Sequence, residues 1–231
     1  MYAYAMPLDM LLNNENYNFL LERMPIETKE KIKRFRFIKD SCRTLFGRVL
    51  LQYMLDKYYG MKDYTITYNE YGKPYLKEYN HVHFSISHSG DWIVCVTCNH
   101  LIGVDIEFIR PFESQKEFIQ LAEMFLNRNE ITNLFRQCKD DQPSSFYAYW
   151  TGKEAVVKYL GTGIGDVKKF DIVWQSKHNA IATGYEKDLY IQNHTFSDDY
   201  RISICTDEFK RPINIEIISA STLINSLKSK I

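Results

Sequence analysis

The stretch that most restricts this chain is the one from residue 82 to residue 109, where apolar residues recur at every second position. Val82, Phe84 and Ile86 share one face, Ser89-Gly90-Asp91 reads as a turn, and "WIVCVTC" and "LIGVDIEFI" continue the period. The pattern predicts a three-stranded antiparallel meander with His88 near the end of its first strand. Such a sheet has an apolar face that another layer must cover. The preceding "SCRTLFGRVLLQYMLDKYYG" supplies that layer, since Leu45, Val49, Leu50 and Met54 fall on one helical stripe, with Ser41 as its expected cap and Gly60 as its end. Before it, "ETKEKIKRF" is helical too. The scheme then recurs: helical patterns around 118–125 and 131–135, the polar "KDDQPSS", a strongly patterned "FYAYWTGKEAVVKYL" closed by Gly161, and the short strands "FDIVW", "LYIQN", "YRISICT" and "INIEIIS". A lysine-ended tail follows. Helices then strands, twice over, predict an α+β fold of two lobes, divided near the end of the meander into residues 1–106 and 107–231.

Charge and cysteine usage exclude several classes. Lys plus Arg and Asp plus Glu number 29 each, which removes the overall positive field of a nucleic-acid or membrane-surface binder. The first twenty residues mix acids and asparagines with apolar positions and contain no basic leader or long apolar run, so a cytoplasmic protein with no membrane partner is expected. Five scattered cysteines are odd in number and predict free thiols. Cys95 and Cys98 have knuckle spacing, but residues three apart on a strand point to opposite faces and no second pair completes a site. "GTGIG" follows a helix instead of joining a strand to a helix, so it is read as a turn.

Three features carry chemistry. From Lys29 to Arg48 eight basic residues stand against two acidic ones, a local charge of +6 in a neutral chain; this is either an anion attractor or a solvated helix face. In "NEYGKPYL", Gly72 and Pro74 hold the backbone on either side of Lys73. In "GVDIE", Asp105 and Glu107 project from the strand face opposite Val104 and Ile106. Two adjacent carboxylates are hard oxygen ligands suited to Mg²⁺ with substrate phosphates, or else a water-screened polar face. Trp150, Glu154 and Lys158, spaced by four, share one helical face, where Glu154 and Lys158 read as an ion pair turned toward the protein by the Phe146, Trp150 and Val157 stripe.

Taken in order, "GKPY", "FSISHSG", "GVDIE" and "WTGKEAVVK" resemble the 4′-phosphopantetheinyl transferase family, in its long two-lobed surfactin-synthesis type. The resemblance runs from the "CRTLFG" helix to Gly161. It implies two similar α+β lobes related by a pseudo-twofold, a coenzyme-binding first lobe, and a second lobe carrying the catalytic helix, with the active site in the cleft between them. It further implies transfer of the phosphopantetheine arm of coenzyme A to a serine of an apo acyl or peptidyl carrier protein, with release of adenosine 3′,5′-bisphosphate. By resemblance Asp105, Glu107 and Glu154 are ligands of Mg²⁺, with Mn²⁺ as the alternative. Glu154 takes the serine proton and Lys158 lies by the scissile phosphate. Ser87, His88, Ser89, Lys31, Arg43, Thr44, Gly72, Lys73, Pro74 and Lys158 surround the coenzyme. Thr28 stands where relatives often have a basic residue, and Ile106 leaves a water to complete the metal shell. A chain holding both halves is expected to be a monomer.

Two rival classes are weaker. A metal-dependent nuclease wants an acid-x-Lys strand, whereas Phe108 and Ile109 follow Glu107; a non-catalytic binding module is expected to have lost one of Asp105, Glu107, Glu154 or Lys158. Finally, Phe118, Ile119, Ala122, Phe125 and Leu126 form an apolar helical stripe that is either core or, flanked by Lys116 and Arg128, a docking face for the carrier's helix.

Overall fold

A computed structural model describes residues 1–8, 14–197, 199–208 and 212–229. The chain opens on strand β1 (Tyr2–Pro7), followed by helices α1 (Asn14–Glu22), α2 (Ile26–Lys33) and α3 (Ile38–Tyr59), the short hairpin β2 (Ile66–Tyr68) and β3 (Pro74–Leu76), and the long hairpin β4 (His83–Ser89) and β5 (Trp92–Cys98). The scheme then repeats. Strand β6 (Gly103–Phe108) leads to α4 (Gln115–Phe125), α5 (Arg128–Phe135) and α6 (Gln142–Leu160), then to β7 (Asp171–Trp174), β8 (Asn179–Thr183), β9 (Leu189–Phe196) and β10 (Tyr200–Thr206). Strand β11 (Ile215–Ile217) and helix α7 (Ala220–Lys228) return to the first lobe, where α7 buries Leu223 and Ile224 in the α3 core.

The sheets run β11-β1-β5-β4 and β6-β10-β9-β8-β7, with β2-β3 apart. The expected three-stranded meander is therefore replaced by a hairpin. Strand β6 leaves β5 and pairs antiparallel with β10, Asp105 opposite Ser203 and Glu107 opposite Arg201. A division between 106 and 107 runs through β6, not beside it. The first lobe begins with a strand that alternation could not announce, because β1 is buried on both faces: Tyr4 and Met6 enter the α3 core while Ala3 and Ala5 face the other sheet.

Three apolar layers hold the lobes together. Leu45, Val49, Leu50 and Met54 of α3 are fully buried against Phe84, Ile93 and Cys95, as their stripe predicted. In the second lobe Phe146, Tyr149 and Val156 of α6 cover Ile172 and Ile191. Between the sheets Val94, Val96, Val104, Ile106, Ile202 and Ile204 form the third layer. Cys95 and Cys98 enter different layers, and the five thiols are free. Helix α3 starts at Ile38, a turn earlier than expected, and Ser41 is not its cap; buried inside the helix, it donates to the Ile32 carbonyl at 3.2 Å. Gly60 (φ +66°) and Gly161 (φ +73°) do end α3 and α6 in the left-handed region. The tail contains α7, whose N-cap Ser219 accepts from Thr222 N–H.

A detail of the repeat locates the site. Lys57 stands three residues before Gly60 and donates to Tyr4 of β1 at 2.9 Å; Lys158 stands three before Gly161 and donates to Asp105 of β6 at 2.6 Å. The same helix position meets the same strand position in each lobe. Only the second lobe carries a carboxylate there.

Candidate active site

Gly103 explains how β6 reaches α6. A Cβ there would lie 2.0 Å from the Ala155 carbonyl oxygen and 2.5 Å from Tyr159 N, so the strand begins directly on the helix backbone. That contact turns Asp105 and Glu107 toward Glu154 and Lys158, while Val104 and Ile106 point into the inter-sheet layer. Gly152 does the same on the helix's other side, where a Cβ would meet Ile172 at 2.9 Å.

Strand β4 runs beside β6 without a backbone ladder, and its serines bridge the gap. Ser85 Oγ accepts from Val104 N–H at 3.0 Å, Ser87 Oγ donates to Asp105 Oδ1 at 2.7 Å, and Ser89 Oγ donates to Glu107 Oε2 at 2.7 Å while accepting from Phe108 N–H at 3.1 Å. The alternation that puts polar residues on one face of β4 thus supplies the partners that an edge strand would otherwise lack. Lys158 Nζ joins by donating to Ser87 Oγ at 2.9 Å. Its ion-pair partner is Asp105, not the Glu154 that helical spacing suggested.

Asp105 is only 3% exposed, so it lies inside a polar seam and not on an open face. Its Oδ2 is buried and has no hydrogen-bond partner among the described residues. Burial first, and then Asp105, push the Glu107 carboxyl up, against the opposing effect of hydrogen bonds from Ser89 and Trp150. Glu154 is pushed up to about 7, again by burial and by the Asp105 charge. Two acids held above their ordinary range around a carboxylate with an orphaned oxygen form a donor set that wants a cation. Among the described residues no three such groups are already gathered to hold a metal, and Lys158 occupies one Asp105 oxygen. Hard oxygen donors nevertheless fit Mg²⁺ in type.

The other expected residues surround this seam. His88 keeps an exposed edge but is recessed among neighbouring groups, so desolvation and then the charges of Arg43 and Lys158 hold it below the usual histidine range. Arg43 donates to Asp40 at 2.9 Å and to the Gly90 carbonyl at 2.5 Å, leaving Nε buried and unpartnered. Lys31, Thr44 and Thr28 line a groove of about 840 Å³ between α2, α3 and β2, together with Arg48, Lys62 and Tyr68. Lys73 takes another position: its Nζ donates to the Tyr159 carbonyl at 2.6 Å, and its stem packs on Gly161, so it complements the C-terminal end of α6 from the other lobe. Burial lowers its pKa to about 8. Gly72 (φ +85°) makes the turn that places it, and Pro74 opens β3.

Sequence reasoning missed Ser85, whose hydroxyl lies on the same face as Ser87, and Lys153. The latter is fully buried and donates to Glu130 at 3.0 Å and to the Val167 and Phe170 carbonyls at 2.6 and 3.0 Å, tying α6 to α5 and β7. The apolar stripe on α4 divides. Phe118, Ala122 and Leu126 are buried, with Phe118 against Phe112, Phe135 and Phe146, and Phe125 packs on Trp150 at 4.0 Å, while Ile119 is exposed at 36%, as is Met124, outside the stripe, at 61%. Most of the stripe is core.

A two-lobed α+β fold with a lysine, serines and three acids converging where the lobes meet defines a transferase class known from sequence comparison. Residues 13–100 match the N-terminal family of 4′-phosphopantetheinyl transferases and residues 101–205 match the 4′-phosphopantetheinyl transferase superfamily. The chain is 30% identical over 233 residues to the 4′-phosphopantetheinyl transferase Sfp of Bacillus subtilis (strain 168), covering 97% of this chain and 100% of that one. It is 29% identical to the enzyme ffp of Bacillus subtilis, over 97% and 100%, and 26% identical to the L-aminoadipate-semialdehyde dehydrogenase-phosphopantetheinyl transferase of Candida glabrata, over 94% and 88%. The chain belongs to the 4′-phosphopantetheinyl transferase superfamily and is an enzyme of that kind. The two matched segments meet at residues 100 and 101, in the loop before β6.

Proposed function

We propose that the protein transfers the 4′-phosphopantetheine arm of coenzyme A to a serine of an apo acyl or peptidyl carrier protein and releases adenosine 3′,5′-bisphosphate. The observation that carries this reading is Asp105, one oxygen held by Lys158 and Ser87 and the other buried without a partner among the described residues, between two acids held above their ordinary range. Asp105, Glu107 and Glu154 would hold Mg²⁺, or Mn²⁺ in its place. Bound there, the ion would neutralise pyrophosphate charge. The first lobe supplies the groove of Lys31 and Thr44 for the nucleotide end and Arg43 and His88 toward the seam, while Lys73, placed by the Gly72–Pro74 turn, braces the end of α6. From the second lobe Glu154 accepts the serine proton, directly or through water. Lys158 stabilises charge on the leaving phosphate and can protonate it. The bonds balance: the serine oxygen takes the phosphorus of the arm, and the bond from that phosphorus to the bridging oxygen of the bisphosphate breaks.

The carrier's helix would meet what remains exposed by the site, namely Ile119, Met124 and Phe108, with Lys116 and Arg128 facing its acids. With both lobes in one chain the working form would be a monomer, and with those substrates it would work in the cytoplasm. Among the described residues no helix is long and apolar enough to cross a membrane. Mass spectrometry on a panel of apo carriers with coenzyme A and Mg²⁺ tests the reading. A serine gaining the phosphopantetheine mass is expected, and an unmodified panel would overturn it.

A further inference from the structure

The second lobe has its own cleft of about 790 Å³, on the side of α6 away from Asp105 and bounded by α5, α6, β7 and β8. It occupies the place that the coenzyme groove occupies in the first lobe, since Ser145 and Tyr149 of α6 line it as Thr44 and Arg48 of α3 line the other. Its volume is in the range of small-molecule sites.

Arg201 decides what the cleft would hold. Its guanidinium donates to the Thr195 and Ser144 hydroxyls, its Nε is buried with no partner, and it has no carboxylate within ion-pair distance among the described residues. Burial lowers its pKa. A half-buried guanidinium without a counter-charge is costly unless a ligand supplies one. Of the three acids along the cleft, Glu130 is paired with Lys153, Asp171 accepts from Asn127 at 3.1 Å, and Asp141 is exposed at the start of α6. Lys177 adds an exposed cation at the rim, Trp174 a part-exposed aromatic surface, and Asn129 and Asn133 amide donors and acceptors.

We propose that this cleft is a second ligand site, distinct from the catalytic seam, that takes a phosphate-bearing small molecule of mononucleotide size, with its phosphate on Arg201 and its ring near Trp174. The site has a route to the chemistry, because Arg201 is the cross-strand partner of Glu107. Occupancy of one end of that pair would therefore be felt at the other.

Titration calorimetry on the full chain, with adenosine 5′-monophosphate as probe, tests this. Arg201→Met, which keeps the stem, should weaken binding about tenfold, the loss of one charge-assisted hydrogen bond. Lys177→Glu, on the exposed rim, should weaken it too and cannot be explained by misfolding, while Lys31→Ala, which weakens nucleotide binding in the first-lobe groove, should leave the Arg201-dependent phase of the titration unchanged. Inorganic phosphate should bind more weakly than the nucleotide. No binding, binding lost with Lys31→Ala but kept with Arg201→Met, or phosphate binding as tightly as the nucleotide would each overturn the proposal. The measurement needs neither carrier nor transfer, so its failure is separate from any failure of the transferase reading.

Discussion

Replacing Glu154 by glutamine should make the metal-free protein more stable and less active at once. Glu154 is pushed from the ordinary 4.5 up to about 7 by burial and by Asp105. Ionising an acid whose folded-state pKa is raised that far costs about 3 kcal/mol; we take about 2 because the side chain keeps some contact with water. The sign follows from the direction of the shift. The protonated acid is the favoured folded form, so its stability is fully present below 4.5 and lost as pH rises through about 7. Glutamine has nearly the same shape and never ionises. At pH about 8 in chelator, Glu154→Gln should melt roughly 4–8 °C above wild type, and the gain should vanish below pH about 5. Adding Mg²⁺ at the higher pH should raise the melting point of wild type but little that of the variant, if the carboxylate is a ligand. Thermal melts from pH about 5 to 8.5, with and without Mg²⁺, read all of this alongside a transfer assay. A variant no more stable than wild type at the upper end would refute the argument that the acids crowd one another.

Other substitutions separate chemistry from folding. Asp105→Asn should cut transfer by about two orders of magnitude or more, yet shift the melting point little, because losing the Lys158 ion pair is offset by relief of repulsion on Glu107 and Glu154. Lys153→Ala should destabilise by about 3–5 kcal/mol, since it strands the buried Glu130, and denaturant melts would show the smaller midpoint. Gly103→Ala should fold poorly, because its Cβ meets helix backbone at 2.0 Å with nothing flexible to yield; soluble yield and circular dichroism check that.

The faces of the polar seam were more legible in the sequence than the topology. Alternation in "FSISHSG" and "GVDIE" placed the right side chains on the right faces, and the α3 stripe was read correctly because both are periodic signals. Pairing is a different matter. Nothing in the local pattern says that β6 leaves β5 for β10, since that choice is made by Gly103 seating the strand on α6 and by the inter-sheet layer. The two-sided burial of β1 hid it for a related reason: with both faces apolar, no period survives. Lys158 illustrates a third limit, for helical spacing offered Glu154 as its partner while tertiary structure supplied Asp105 across 53 residues of chain.

The α4 stripe carries the last prediction. Phe118 is 6% exposed and lies against three other aromatic rings, so Phe118→Ala should cost about 3–5 kcal/mol as a core truncation. Met124, on the same helix and 61% exposed, should behave in the opposite way. Met124→Asp removes little packing, so the melting point should stay within about 2 °C of wild type, in keeping with a surface substitution. If carrier helices dock here, the added charge should raise KM for the carrier about tenfold or more while kcat and coenzyme A affinity hold, because only a binding contact made outside the reacting centre is lost. Steady-state transfer at fixed coenzyme A with varied carrier gives both constants. An unchanged KM with Met124→Asp would move the docking surface off α4 altogether, whereas a lost kcat would mean that the helix orients the metal-site acids and does not merely receive the partner.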